Sequence, residues 1–194
     1  MIERIINKYY RIRRLRILDL RKKVNLGCGT DIRKGWINCD ITSDNDSVIQ
    51  LDMTSKQDLK MIETFNPSVI EMNHSIGYLS YGEAMALFES LYNSLKKGGL
   101  LIIETPCLSK ISKQHLEKKN ESIESFLETV RALYAFDYGE ALLKKRHYSP
   151  YAFSWSEFIL IESLKMIGFE NVTSKNPIMH GRRVDRDIRI VSVK

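Results

Sequence analysis

Between Val24 and Asp40 the chain reads VNLGCGTDIRKGWINCD. Two short apolar runs, Lys23–Leu26 and Trp36–Asp40, flank a glycine turn, and the second run ends on an acid. No other feature constrains the fold as much. A buried strand that runs straight into Gly27-Cys28-Gly29 offers its carboxyl end to a ligand, because positions without Cβ let a group approach the backbone. The N–H groups of such a turn hold an anion, and Asp40 can accept hydrogen bonds from a diol such as that of a ribose. The connection is too short for the helix that normally lies between two such strands.

The rest of the chain extends this start into an alternating pattern. Val48–Leu51 reads as a third strand ending at Asp52, and Lys56–Phe65 as a helix stopped by Asn66-Pro67. Ser68–Met72 is a fourth strand. Glu83–Lys97 carries Ala84, Leu87, Phe88, Leu91 and Leu95 on one helical face and is ended by Gly98-Gly99. Leu100–Glu104 is a near-continuous apolar run, as in a strand buried on both faces. Residues 107–147 interrupt the alternation with a stretch that is helical between Glu121 and Leu143, an insertion over one end of the sheet. A helix over Trp155–Ile167 and two strands, Asn171–Ser174 and Ile188–Val193, close the chain. The expected fold is α/β: a Rossmann-like, mostly parallel sheet with helices on both faces. Its last strand is antiparallel, because the final connection is too short for a crossover. Gly27–Gly29, Asp40, Asp52 and Asn73-His74 all fall at carboxyl ends of strands, the edge at which such sheets bind ligands.

Spacing narrows the ligand. A dinucleotide fingerprint needs a third glycine three residues after the second and an acid about 20 residues on. Here Ile32 stands at the first position and Asp40 comes too early, so a nicotinamide cofactor fits poorly. No G-K-[ST] follows the turn, which removes a P-loop. The three cysteines, Cys28, Cys39 and Cys107, form no C-x-x-C and argue against a disulfide framework and against a zinc site; no metal is expected. No apolar run approaches the ~20 residues that span a bilayer, no secretory signal is evident, and a cytoplasmic location is expected. The net charge of +6 is uneven. Residues 1–21 form a basic amphipathic helix carrying Arg4, Lys8, Arg11, Arg13, Arg14, Arg16 and Arg21, suited to packing on the domain or to peripheral membrane contact. A second basic cluster is Arg182, Arg183, Arg186 and Arg189.

The segments V-N-L-G-C-G-T and G-W-I-N-C-D together resemble the class I S-adenosylmethionine (SAM)-dependent methyltransferases. The nearest branch is a short bacterial one associated with surface-polysaccharide biosynthesis, whose members share the shortened first connection. The resemblance runs on through Leu51-Asp52, Leu95-Lys96-Lys97-Gly98-Gly99-Leu100, Gly168-Phe169-Glu170-Asn171-Val172 and Arg186-Asp187-Ile188-Arg189. It covers about residues 22–106 and 147–194, so residues 22–194 would be one catalytic domain with 107–146 as a helical insertion or lid. It implies a seven-stranded sheet and SAM as cofactor. Gly27, Cys28 and Gly29 would lie under the methionine part, with Asn25 in place of the usual acid and Asp31 in place of the usual third glycine. Asp40 would bind the ribose and Asp52 the adenine amino group. Ile41 or Met53 would pack on the ring, and Asn73 would lie beside the methionine moiety.

For chemistry, His74 is the first candidate base, since it follows the fourth strand at the methyl-facing edge and an imidazole titrates near neutrality. His147 and Tyr148 follow the insertion and are further candidates, His180 precedes the basic hairpin, and His115 reads as surface. Tyr134, Phe136, Tyr138, Tyr148, Tyr151, Phe153 and Trp155 crowd one region, as a core or as a stacking surface. The leading expectation is O-methylation of a sugar or glycan-type small acceptor, with an anionic acceptor suited to the basic clusters. An RNA methyltransferase is the second reading, with nucleic acid a less favoured partner. A non-catalytic SAM-binding or scaffold protein is the third, motivated by Asn25 and Asp31.

Overall fold

The computed structural model describes residues 22–42, 44–117, 122–135, 150–179 and 183–194. The expected N-terminal helix, His147, Tyr148 and His180 lie outside the described residues. Seven strands form one sheet: β1 (Lys23–Leu26), β2 (Ile37–Asp40), β3 (Val48–Gln50), β4 (Val69–Asn73), β5 (Leu100–Pro106), β6 (Glu170–Lys175) and β7 (Asp187–Val193). Their order is β3-β2-β1-β4-β5-β7-β6. The first five strands are parallel and β7 runs antiparallel between β5 and β6. The helices are α1 (Lys56–Phe65), α2 (Tyr81–Ser94), α3 (Leu108–Glu117), α4 (Ile123–Tyr134) and α5 (Glu157–Ile167), with a 3₁₀ turn at Ile76–Tyr78. This is the Rossmann-like, mostly parallel seven-stranded sheet with an antiparallel last strand that the sequence led us to expect.

The alternation of side chains gives the sheet two unlike faces. Val24, Leu26, Ile37, Cys39, Ile70, Met72, Leu101, Ile103, Ile188 and Ile190 share one face by register and are buried in one apolar core. Leu59, Ile62 and Phe65 of α1, Leu87, Phe88 and Leu91 of α2, and Leu160 and Leu164 of α5 complete that core. Each such buried side chain stabilises the fold by about 1.5–3 kcal/mol. The opposite face carries Asn25, Asn38, Glu71, Asn73, Glu104 and Arg189 at matching register. Leu100 and Ile102, on this polar face, are only half-buried. β5 therefore alternates, and does not lie between two apolar layers as its run of aliphatics led us to expect.

Caps set the helix ends. Ser80 and Glu83 form a reciprocal capping box at α2, Ser55 and Ser156 cap α1 and α5, and Gly168 closes α5 with φ 110°. α2 stops at Ser94, short of the expected Lys97, because extended Leu95 drops into the core while the Lys96 N–H turns to the Pro67 carbonyl at 3.0 Å. Gly98 and Gly99 instead pair with Lys194 and start β5 beside β7. α3 falls within the expected helical insertion, ahead of the stretch from Glu121 that reads as helical in the sequence. It lies against the β6–β7 connection, with Lys110 Nζ donating to the carbonyls of Val184 and Asp187. The edge strands are β3, three residues long, and β6, mostly exposed and irregular between Glu170 and Thr173.

Gly27 is a packing requirement. With φ +69°, a Cβ there would lie 2.4 Å from Ser75 Cβ. Gly27→Ala is therefore expected to destabilise the fold by roughly 1–3 kcal/mol, read by urea unfolding. Ser75→Gly should recover part of that loss, because it removes the collision and leaves only the backbone strain. Strictly additive losses in the double variant would show that the contact does not set the glycine.

Candidate functional site

The shortened first connection holds its shape through two asparagines. Asn38 Oδ1 accepts from the Arg33 N–H at 2.9 Å, while its Nδ2 donates to the carbonyls of Arg33 and Trp36. Asn25 Nδ2 donates to the Asp31 carbonyl at 2.7 Å and to Asn38 Oδ1 at 3.3 Å. These amides satisfy backbone groups that a crossover helix would have paired internally. Asn25, 1% exposed, thus builds the turn from beneath.

Above this base an open edge remains. A Cβ on Gly29, φ +50°, would meet nothing within 4 Å. The Asp40 carboxylate accepts from the Gly29 N–H at 2.7 Å and from the Thr42 N–H at 3.0 Å, which fixes its position at the end of β2. Ile41 beside it is 53% exposed. Asp52 uses Oδ1 for the Thr54 N–H and hydroxyl, at 2.8 and 2.7 Å, and its Oδ2 makes no hydrogen bond among the described residues. Met53 packs near Gly27. Asn73 Nδ2 donates to Glu71 Oε1 at 3.3 Å, whereas its buried Oδ1 has no hydrogen-bond partner among the described residues. Burial, reinforced by Asp40, pushes the Cys28 thiol up to about 11, so this cysteine is no nucleophile at neutral pH. The structure thus brings Gly27, Cys28, Gly29, Asp40, Ile41, Asp52, Met53 and Asn73 to the carboxyl ends of β1–β4.

His74 follows β4 with φ +55°. Its N–H donates to the Glu104 carbonyl at 2.7 Å and its carbonyl accepts the Tyr151 hydroxyl at 3.2 Å. Its Nε2 lies 3.4 Å from Asp187 Oδ2. Asp187, fully buried, is gripped by Arg186 through Nε at 2.6 Å and Nη2 at 2.7 Å. Burial works to raise the Asp187 carboxyl, but His74 and Arg186 outweigh it and hold it at about 2. Burial pushes the Tyr151 phenol well above its ordinary value, so Tyr151 supports the His74 loop and does not serve as a base. Of the aromatic crowd, Trp155 is fully buried with Phe153 half-buried against it, Tyr151 is half-buried against Tyr78, and Tyr134 is 48% exposed. His115 is half-buried on α3 against Thr129 and Phe126, not on the surface.

Sequence reasoning missed how the charges inside the strands pair. Arg189 Nη1 reaches Glu71 at 3.1 Å and Glu104 at 3.0 Å, and Arg33 Nη1 reaches Glu71 at 3.1 Å. Glu104 also accepts the N–H groups of Ile178 and Met179. The signal was present in Ser68–Met72 and Leu100–Glu104, each an apolar run with one carboxylate. His74, Glu104 and Asp187 bring ligand atoms within 4.8 Å of one another. Both carboxylates are already matched by arginines, so a cation would have to displace a guanidinium.

No family profile matches the sequence, and no curated protein does. Solved structures do match the fold. A SAM-dependent methyltransferase from Archaeoglobus fulgidus superposes with a TM-score of 0.54 at 13% identity, over 98% of this chain and 94% of that one. An O-methyltransferase family protein from Burkholderia thailandensis gives 0.54 at 12% over 94% of this chain, and the CurJ carbon methyltransferase gives 0.53 at 14% over 96%. This chain covers 55% and 53% of the lengths of those two. The fold is therefore that of SAM-dependent methyltransferases whose acceptor atoms differ. Among the described residues no helix is long and apolar enough to cross a membrane.

Asp187 gives this site a pH signature. Its folded value, about 2, lies below the roughly 3.9 of an unfolded aspartate, so its contribution to stability is complete above pH ~4 and is lost as the pH falls toward 2. The stability difference between wild type and Asp187→Asn should be full at pH 7 and shrink on acidification below about pH 4. A difference that stays constant in urea titrations across that range would contradict the assignment.

Proposed function

We propose that the chain is a SAM-dependent methyltransferase acting on a hydroxyl of a sugar or glycan-type small acceptor. The observation that carries this reading is the edge formed by open Gly29, Asp40 and Asp52 with the orphaned acceptor of Asn73, on this fold. These residues fit the cofactor. Asp40 suits a diol, the uncommitted Asp52 oxygen suits an exocyclic amino group, exposed Ile41 suits a purine face, and the buried Asn73 oxygen suits an ammonium donor. When bound, SAM supplies an electrophilic methyl group on a sulfonium. The chain supplies placement and proton transfer. His74, whose Nε2 lies 3.4 Å from the Asp187 carboxylate, is the group we assign to take the proton of an acceptor hydroxyl. A hydroxyl nucleophile of high pKa needs such a base. The branch resemblance and the absence of an amine-type Asp/Asn-Pro-Pro motif after β4 favour a sugar hydroxyl over an amine.

Calorimetric titration with SAM and with S-adenosylhomocysteine is expected to show binding that Asp40→Ala weakens at least about tenfold, since hydrogen bonds to a charged group are at stake. Unchanged affinity in that variant would remove the site assignment. His74→Asn tolerates the left-handed backbone. It should lower methyl transfer to sugar acceptors by about 10²–10⁴-fold with SAM affinity kept; transfer at the wild-type rate would exclude His74 as the base. Labelled-methyl transfer to RNA but not to sugars would favour the RNA reading, and SAM binding with no turnover the scaffold reading.

A further inference from the structure

A cavity lies among residues other than those of the glycine turn. It has a volume of about 270 Å³ and is bounded by α3, α4 and the β6–β7 connection. Arg131, Arg183 and Arg186 line it against one acid, Glu128, with Gln114 and Thr129 completing a polar wall. The nearby Asp185 carboxylate accepts from Gln114 Nε2 at 2.9 Å. We infer that this cavity is a subsite for an oxyanion, a phosphate or carboxylate group carried by the acceptor.

Arg186 is the main reason. Its Nε and Nη2 are committed to the buried Asp187 carboxylate, which fixes the plane of the guanidinium and leaves the other Nη for a ligand. A guanidinium held in place loses little freedom when it binds an oxyanion. Arg183, which also lines the cavity and attracts the neighbouring Asp185 carboxylate, supplies a second guanidinium. The cavity is also linked to the candidate base: Asp187 Oδ2 touches Arg186 Nη2 at 2.7 Å and His74 Nε2 at 3.4 Å. A volume below the ~300–1,000 Å³ of a complete ligand site suits one group of a larger acceptor. The inference rests on the methyl-transfer reading only for what the bound molecule does.

The test is titration of the full chain with inorganic phosphate, glucose 1-phosphate, glucuronate and glucose, in wild type, Arg183→Gln and Arg131→Gln, with SAM titrated in parallel. Phosphate and at least one charged sugar should bind more tightly than glucose. Arg183→Gln should weaken that binding at least about tenfold, since a charge-assisted hydrogen bond is lost. SAM affinity should stay unchanged. Glucose 1-phosphate binding without glucuronate binding would name phosphate as the group, and the reverse would name carboxylate. Equal affinity for glucose and the charged sugars, or anion binding indifferent to both arginine variants, would overturn the subsite. Arginine-dependent anion binding in a chain that neither binds SAM nor transfers a methyl group would keep the subsite and remove the methyl-transfer reading.

Discussion

The polar face of the sheet depends on one guanidinium. Arg189 stands opposite Glu104 on β7 and reaches past β5 to Glu71 on β4, so a single cation holds two carboxylates that would otherwise repel at short range. Both acids are nearly or fully buried, and an unmatched buried carboxylate is far costlier than a surface one. Arg33 adds a second cation from the glycine-turn loop, and Glu104 accepts two N–H groups from the loop after β6. Loops from opposite halves of the chain are thereby joined through the middle of the sheet. Geometry at the glycine turn and geometry at the β6–β7 connection are not independent.

The same network explains how the fold keeps its shape without a helix between β1 and β2. A parallel pair normally needs a crossover of a dozen or so residues, usually helical. Here Asn25 and Asn38 pair the loop's backbone, and Arg33 pins it to Glu71 while its guanidinium lies 5.0 Å from the Trp36 ring. Side chains on the sheet do the work that intrahelical hydrogen bonds do elsewhere. Asn25, at a position where the resemblance implies an acid, suits this task because an amide can donate into the loop and a carboxylate cannot.

The sheet was legible because strand and turn chemistry agree locally. Gly27–Gly29, Asn66-Pro67 and Gly168 mark their boundaries correctly, and the short last connection gave the antiparallel strand. What escaped was the identity of each face. A run such as Leu100–Glu104 does not reveal that Leu100 and Ile102 sit over charges while Leu101 and Ile103 sit in oil. That distinction depends on neighbours from β4 and β7 that no local pattern encodes. The pairing of Asp187 and Arg186 with each other and with His74 escaped for the same reason, since His74 is far away in sequence. Gly27 looked like ligand space because a glycine has the same letter whether a ligand or Ser75 occupies the room above it.

The two edge strands have a consequence for how the protein behaves in a crowded solution. An exposed strand with unpaired N–H and C=O groups is a template for another chain to pair with. β3 offers only three residues, and β6 is interrupted by an irregularity and lined with exposed Glu170, Asn171, Thr173, Ser174 and Lys175. Neither edge presents the flat apolar ribbon on which intermolecular β-pairing grows. The sheet's shape thus works against aggregation through its own open ends.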